Sequence, residues 1–490
     1  MALTNLLSLN FLVPFVAAKI DFSNAIRGLR GMPRRLLLVG HKLPTGSATL
    51  GAIRTVSTET DAIAAFGEGS MLVGMWRAAK ANAGLGLPID CIAIDTGTDA
   101  VAATGTVTAT VVAGSAGEAM LYVGGERLSV GVTASDTAAT LAAKLAAAVN
   151  AKTQLPVTAA AAAGVVTLTA RWGGPTGNDI DVRVAYYADD VLATGVTLAV
   201  APLSGGAVNP DVTPMIAAMN LYRATEIVCP FTDSANLVLL EAELAARWTA
   251  NNMQDGAVVN CLRGTESAIT TALAARNSAH VHTIAVTKDC TSPWETAAMA
   301  GAAIEAQAAI DPAVPQTGIV LTGYKGPRQG DHWMVDQMNN LLSAGGSPLE
   351  IYSDATGGLL RLVTNYKRSA AGAADRSMAE LCWIKTMSYY RWFVVTEFQT
   401  KYRGYKLAQY ITEPIPGQKV MTVDLGEEIM IGIYKLFCDV ALCQHPDYYR
   451  EQLVVEVDGP NGKLKILDEP VIVTQHYQTE VTSMVVAGQV

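Results

Sequence analysis

Six short apolar runs, separated by stretches with helical spacing, constrain this chain more than any other feature. The runs are 34–40, "IDCIAID" (89–95), "EIVCP" (226–230), "GAVVNCL" (256–262), "HVHTIAVT" (280–287) and "QTGIVLTGY" (316–324). Helical patterns lie near 58–82, 211–222, 234–252, 265–277 and 294–309. A strand that is apolar on both faces must be covered on both faces, and intervening helices provide that cover. The pattern therefore predicts an α/β sheet. With 490 residues, half of them hydrophobic and 16% charged, the chain has material for several domains with sizeable cores.

Residues 98–205 break this rhythm. In "TVTATVV" Val107, Ala109 and Val111 share one face, and Thr106, Thr108 and Thr110 the other. "AMLYVGGERLSV" reads as a hairpin turning at Gly124 and Gly125. "SDTAATLAAKLAAAVN" reads as a helix with Ser135 as N-cap and Leu141, Leu145 and Val149 on one stripe. "GVVTLTA" and "IDVRVAY" add two more strands. This is a β-rich module with one helix, inserted into the α/β unit. Further on, "LVVEV" and "KLKIL" flank "DGPNG" as another hairpin, and the tail "VIVTQHYQTEVTSMVVAGQV" reads as extended and apolar.

The net charge of −9 argues against a general nucleic-acid or anionic-membrane binder. No run reaches the roughly 20 apolar residues of a membrane span. The apolar start, "MALTNLLSLNFLVPFVAAK", lacks a basic flank and is interrupted by Pro14, so it reads as neither signal peptide nor anchor. Extended apolar ends of this kind suit addition to a neighbour's sheet edge.

Several stretches invite chemistry and fall short of it. "LLLVGHKLPTGSATLG" places a glycine-bearing loop after a buried strand, as nucleotide sites do. Its Gly40 and Gly46 have five residues between them rather than four, no lysine precedes Ser47, and Pro44 removes an N–H. His280 and His282 share one strand face, yet no acid or thiol within two residues completes a metal set. The other histidines form no Ser/His/Asp order. "SYYRWFVVTEFQTKYRGYK" (388–406) mixes aromatic and basic residues. It reads as a packed face, with its basic groups at a surface or subunit contact. No catalytic residue, metal or cofactor is assigned. Seven cysteines leave at least one unable to pair within the chain. Cys443, Cys290 and Cys438 rank in that order as candidates for a disulfide between subunits, with Cys443 the expected exposed thiol.

The series "RGLRGMPRRLLLVGHKLPTGSATLG", "FGEGSMLVGMWRAAKAN" (66–82), "LPVTAAAAAGVVTLTARWGGPTGNDIDVRV" (155–184), "LSGGAVNPDV", "IVCPFTD", "GGLLRLVTNYKRSAAGAAD" (357–375) and "GQKVMT" (417–422) resembles Mu-like contractile phage tail sheath proteins. The resemblance implies a structural, non-enzymatic subunit without nucleic-acid or membrane partners. Such subunits stack as hexameric rings around a tail tube, meet baseplate and tail terminator proteins, and contract to drive the tube through the host envelope. They are assembled in the host cytoplasm and carried in the virion tail. The implied organisation is an N-terminal arm (1–27), a core (28–97 and 206–465) interrupted by the β-rich insertion (98–205), and a C-terminal arm (466–490). Residues 3–20 and 470–488 are then the segments exchanged between neighbours. The sheath of a phage-like bacteriocin or other contractile injection system is the alternative within this class. An α/β nucleotide-binding enzyme is the alternative outside it.

Overall fold

The computed structural model describes residues 29–184, 186–187, 189–411 and 417–484. The proposed N-terminal arm, 1–27, lies outside the described residues. Two compact units divide the chain, and each has its own framework.

The larger unit comprises 33–392 together with 474–484. It opens with β1 (Leu36–His41), β2 (Ile53–Thr55), α1 (Glu59–Phe66), α2 (Met71–Asn82) and β3 (Ile89–Ile94). An inserted module follows: β4 (Ala102–Val111), β5 (Gly117–Val123), β6 (Glu126–Val132), α3 (Ala138–Ala151), β7 (Val157–Ala162), β8 (Val165–Gly173), β9 (Val182–Arg183) and β10 (Val196–Ser204). The chain then returns through α4 (Thr213–Met219), β11 (Glu226–Val228), α5 (Ser234–Arg247), β12 (Ala257–Arg263), α6 (Glu266–Ala274), β13 (Val281–Val286) and α7 (Pro293–Ile310). It continues through β14 (Ile319–Val320), α8 (Val335–Ser343), β15 (Gly346–Ile351), β16 (Gly357–Leu359) and α9 (Leu381–Lys401), which belongs to this unit as far as Trp392.

The main sheet has the order β14-β16-β15-β13-β12-β11-β1-β3-β2. Its centre is parallel, and β2, β16 and β14 add antiparallel edges. Strand β1 shows why the apolar runs are continuous. Leu36 and Leu38 join the core under α2 and α7, while Leu37 and Val39 join a second core with residues of α4 and α5. Helix α7 lies close to the sheet because it is built of small residues. A Cβ on Gly301 would come within 3.0 Å of both Val228 and Val259.

The insertion forms a four-stranded sheet, β10-β4-β8-β7, and a three-stranded one, β6-β5-β9. Leu141, Leu145 and Val149 of α3 are fully buried. A backbone bridge between Val101 and Ala207 closes the module's neck. Its flank is docked as well. Trp172 meets Trp294 edge-on at 5.5 Å, the Tyr186 hydroxyl donates to Gly326 O, and Arg263 donates to the carbonyls of Asp179 and Thr291.

Several expectations shift. The pattern over 58–82 splits into two helices because Gly67 and Gly69 take positive φ. Thr137, not Ser135, caps α3, through a reciprocal capping box with Thr140. "QTGIVLTGY" forms a strand only at Ile319–Val320, where Gly318 and Gly323 turn the chain on either side. "IDVRVAY" pairs only at Val182–Arg183.

The smaller unit comprises the described residues 29–32 and 393–473. After the last turns of α9 come β17 (Lys406–Leu407), β18 (Val420–Met421), α10 (Val423–Asp439), α11 (Pro446–Gln452), β19 (Val454–Asp458) and β20 (Lys463–Leu467). Thr422 caps α10 by accepting from Leu425 N. Tyr434 stacks on Tyr449 at 3.7 Å and donates to Gln444 O.

Gly46 gives a direct check on this packing. A Cβ there would lie 2.5 Å from the backbone of Ala65 and Phe66. Gly46→Ala should therefore cost about 1–3 kcal/mol of unfolding free energy. Urea denaturation would measure it, and unchanged stability would contradict the close approach.

Candidate functional site

The loop after β1 has no free cradle for phosphate. Leu43 N donates to Phe66 O, Ser47 N to Ala64 O and Ala48 N to Ala65 O, while Gly46 N turns back to Leu43 O. These amides satisfy the last carbonyls of α1, which a helix end otherwise leaves without partners. Lys42 Nζ is likewise held by Gly46 O at 2.9 Å. These four amides are thus taken up within the fold rather than left free for a phosphate.

The cleft beyond the carboxyl ends of β12 and β13, about 590 Å³, is where open α/β sheets commonly bind ligands. Most of its charges are already answered. Arg183 pairs with Asp181, Lys288 with Asp331, and Arg263 with two carbonyls. Asp289, pushed up to about 6 by burial, accepts from the Tyr324 hydroxyl.

His280 stacks on Trp248 with ring centroids 4.8 Å apart, and burial pushes its pKa down to about 4. Burial likewise lowers His282 to about 3, where it stays neutral 3.2 Å from Glu226. Among the described residues no group of three His, Cys, Asp or Glu is placed to hold a metal ion. The aromatic and basic run 388–406 lies largely on α9. There Arg391 is drawn inward to Asp255 and over the Trp248 ring, rather than to an outer contact.

Reading by sequence missed a buried charge cluster. Lys385 Nζ donates to Glu226 Oε2 and Glu305 Oε1, both at 2.5 Å, and to Thr225 O at 2.9 Å. Thr225 Oγ1 donates to Glu305 Oε2 at 2.7 Å, and Arg34 pairs with the same carboxylate. Burial disfavours each charge, but the cations outweigh it at Glu305, which is held below the usual carboxylate range. Lys385 is held above the usual lysine range, because its two carboxylates outweigh its desolvation. Burial wins at Glu226, whose pKa is raised. The only advance signal was a charged residue inside each of three apolar stretches. Removing one partner of a buried pair strands the others, so Lys385→Met should destabilise by about 3–5 kcal/mol. A chemical denaturation midpoint close to wild type would refute this.

The cysteine ranking changes. Cys290 is fully buried beside Tyr122 and Tyr186, and burial pushes its thiol up to about 12. Cys443 is not the exposed thiol that was expected. It is 3% exposed, lies beyond the end of α10, and is covered by an antiparallel bridge to Ile472. Cys438 is the half-buried one, and the remaining four are buried. Of the three candidates for a link between subunits, only Cys438 is reachable in the folded chain. A maleimide should label one thiol of the native protein rapidly, and Cys438→Ser should abolish that labelling. Rapid labelling of Cys290 or Cys443 would contradict their burial.

One exposed feature suited to assembly is in the smaller unit. Strands β19 and β20 pair antiparallel from Val454–Leu467 to Asp458–Lys463. They form a two-stranded sheet whose outer edges carry no strand partner among the described residues. Val455 packs inward against α10, where Gly426 allows it close, while Val454 and Leu467 are exposed. Such a hairpin is marginal alone, and an open edge is a template for another strand. Val471–Val473 are held by Leu442–Gln444. In the larger unit Gln475 donates to Ala313 O, and Tyr477 lies under Arg361. The exposed part of the described tail runs from Gln478 to Met484 and forms no strand.

No family model matches the chain. It is 31% identical over 465 residues to the tail sheath protein of the Mu-like prophage FluMu of Haemophilus influenzae, covering 94% of this chain and 95% of that one. The chain belongs to the Mu-like phage tail sheath proteins. It is a structural subunit of a contractile tail sheath, and a component of the phage tail. Solved structures with similar folds include the sheath tail protein of Desulfitobacterium hafniense (12% identity, TM-score 0.48, 94% of this chain and 100% of that one). Another is the contracted helical sheath of the anti-feeding prophage (13% identity, TM-score 0.48, 97% and 99%).

Proposed function

We propose that this subunit polymerises by strand exchange, its terminal segments extending the β19–β20 hairpin of neighbouring subunits. The observation that carries this reading is a two-stranded sheet with both edges open, seated on α10. Residues 3–20 supply one strand, from an apolar segment outside the described residues. The end of the tail, from Gln478 onward, supplies the other. Backbone hydrogen bonds at each edge give affinity, and alternate side chains give register.

In this reading the subunits stack as hexameric rings around a tail tube protein, end on baseplate and terminator proteins, and are put together in the host cytoplasm. The work is mechanical rather than catalytic. Rigid subunits joined by exchanged strands move from one packing to another, and interfaces with two stable arrangements turn stored free energy into motion.

Electron microscopy of the purified protein should reveal tubes. Deleting residues 3–20, or those after Tyr477, should leave soluble monomers by light scattering. Tubes from both deletions would exclude strand exchange, and a monomeric wild-type protein would exclude self-assembly.

A further inference from the structure

Sheet edges in the larger unit are closed by different means. At the two ends of the main sheet, β2 and β14 have only three and two residues. In the insertion, β10 carries Pro202 and a break in its pairing between Ala201 and Ser204, and the Gly131 carbonyl of β6 accepts from Lys144. Short strands, prolines, irregular pairing and a covering lysine all discourage a second chain from adding itself. Strand β7 has none of these. Its six residues, "VTAAAA", include no charge and no proline, and its outer side has no strand partner among the described residues.

The pairing of β7 with β8 shows which of its groups face outward. Arg171 N donates to Pro156 O, so Pro156 turns toward β8. Backbone direction alternates along an antiparallel strand, so Thr158, Ala160 and Ala162 turn the same way. Val157, Ala159 and Ala161 then present their N–H and C=O groups to the outside. Asn150, near the end of α3, meets the middle one. Its Nδ2 donates to Ala159 O at 2.7 Å, and Ala159 N donates to its Oδ1 at 3.0 Å. A residue opposite Ala159 on an added antiparallel strand would make this same pair of bonds. With the centre of a row of three sites taken, no two consecutive sites remain for another strand.

We propose that Asn150 determines the specificity of assembly by closing the β7 edge against β7 of a second copy. Helix α3 thereby secures both sheets of the insertion, with Lys144 at β6 and Asn150 at β7. Strand addition is kept away from the insertion, whether or not the terminal segments extend the β19–β20 hairpin.

Full-length Asn150→Ala tests this. Alanine is the better helix former, so the variant removes the two bonds and leaves circular dichroism unchanged. Exchange of the Ala159 amide should become roughly tenfold faster. Sedimentation velocity, with wild type at matched concentrations as the reference, should show added association that grows with concentration. Adding Ala161→Lys, a charge on the same exposed edge, should restore the wild-type distribution. Asn150→Leu should behave like Asn150→Ala, and it decides alone if alanine loosens α3. A wild-type exchange rate at Ala159 overturns the proposal, as does a wild-type sedimentation profile at every concentration. Association that survives Ala161→Lys also overturns it, because the pairing would then run through another surface.

Discussion

The larger unit is organised around one buried ammonium. Lys385 reaches from α9 to Glu226 at the start of β11 and to Glu305 in α7, while Arg34, just before β1, meets the same Glu305. Taking these charges out of water is costly, and only their mutual satisfaction makes it tolerable. Apolar residues of similar volume could hold these elements together as firmly. An ionic cluster differs in that it accepts one arrangement. Sliding α9 by one turn would strand two carboxylates in the core.

Around that cluster the packing is close. Helix α7 is rich in alanine and lies close to the sheet. Small side chains allow this close approach. The charged residues add to the register that this packing sets, and the apolar ones supply most of the cohesion. A sheath subunit that moves as a body while its contacts rearrange needs a stiff interior of this kind.

Much of this was legible in the sequence because both faces of the main sheet are buried. Runs such as "LLLVG" were apolar on both faces, and together the runs located β1, β3, β11, β12 and β13. The hairpin at "DGPNG" was readable from turn chemistry, but its open edges were not, because alternation tells which face a residue takes and not whether a neighbouring strand exists. The same gap explains why "IDVRVAY" shrank to two paired residues. Cys443 was misjudged because its cover comes from Ile472, nearly thirty residues later. Lys385, Glu226 and Glu305 were invisible as a group, since no local spacing relates them. The phosphate-like loop was rejected on spacing, and the structure adds the cause: its amides close the end of α1.

The inserted module is attached at more than its two peptide links. The Val101–Ala207 bridge ties its neck, and Trp172, Tyr186 and Asp179 fasten its flank to the core. A part joined by two strands of chain alone would swing under load, and force applied to it would be dissipated in that hinge. Fastened along its side, the insertion behaves like a cog cut from the same piece as its wheel. Torque reaching it passes into α7 and the central sheet without lost motion.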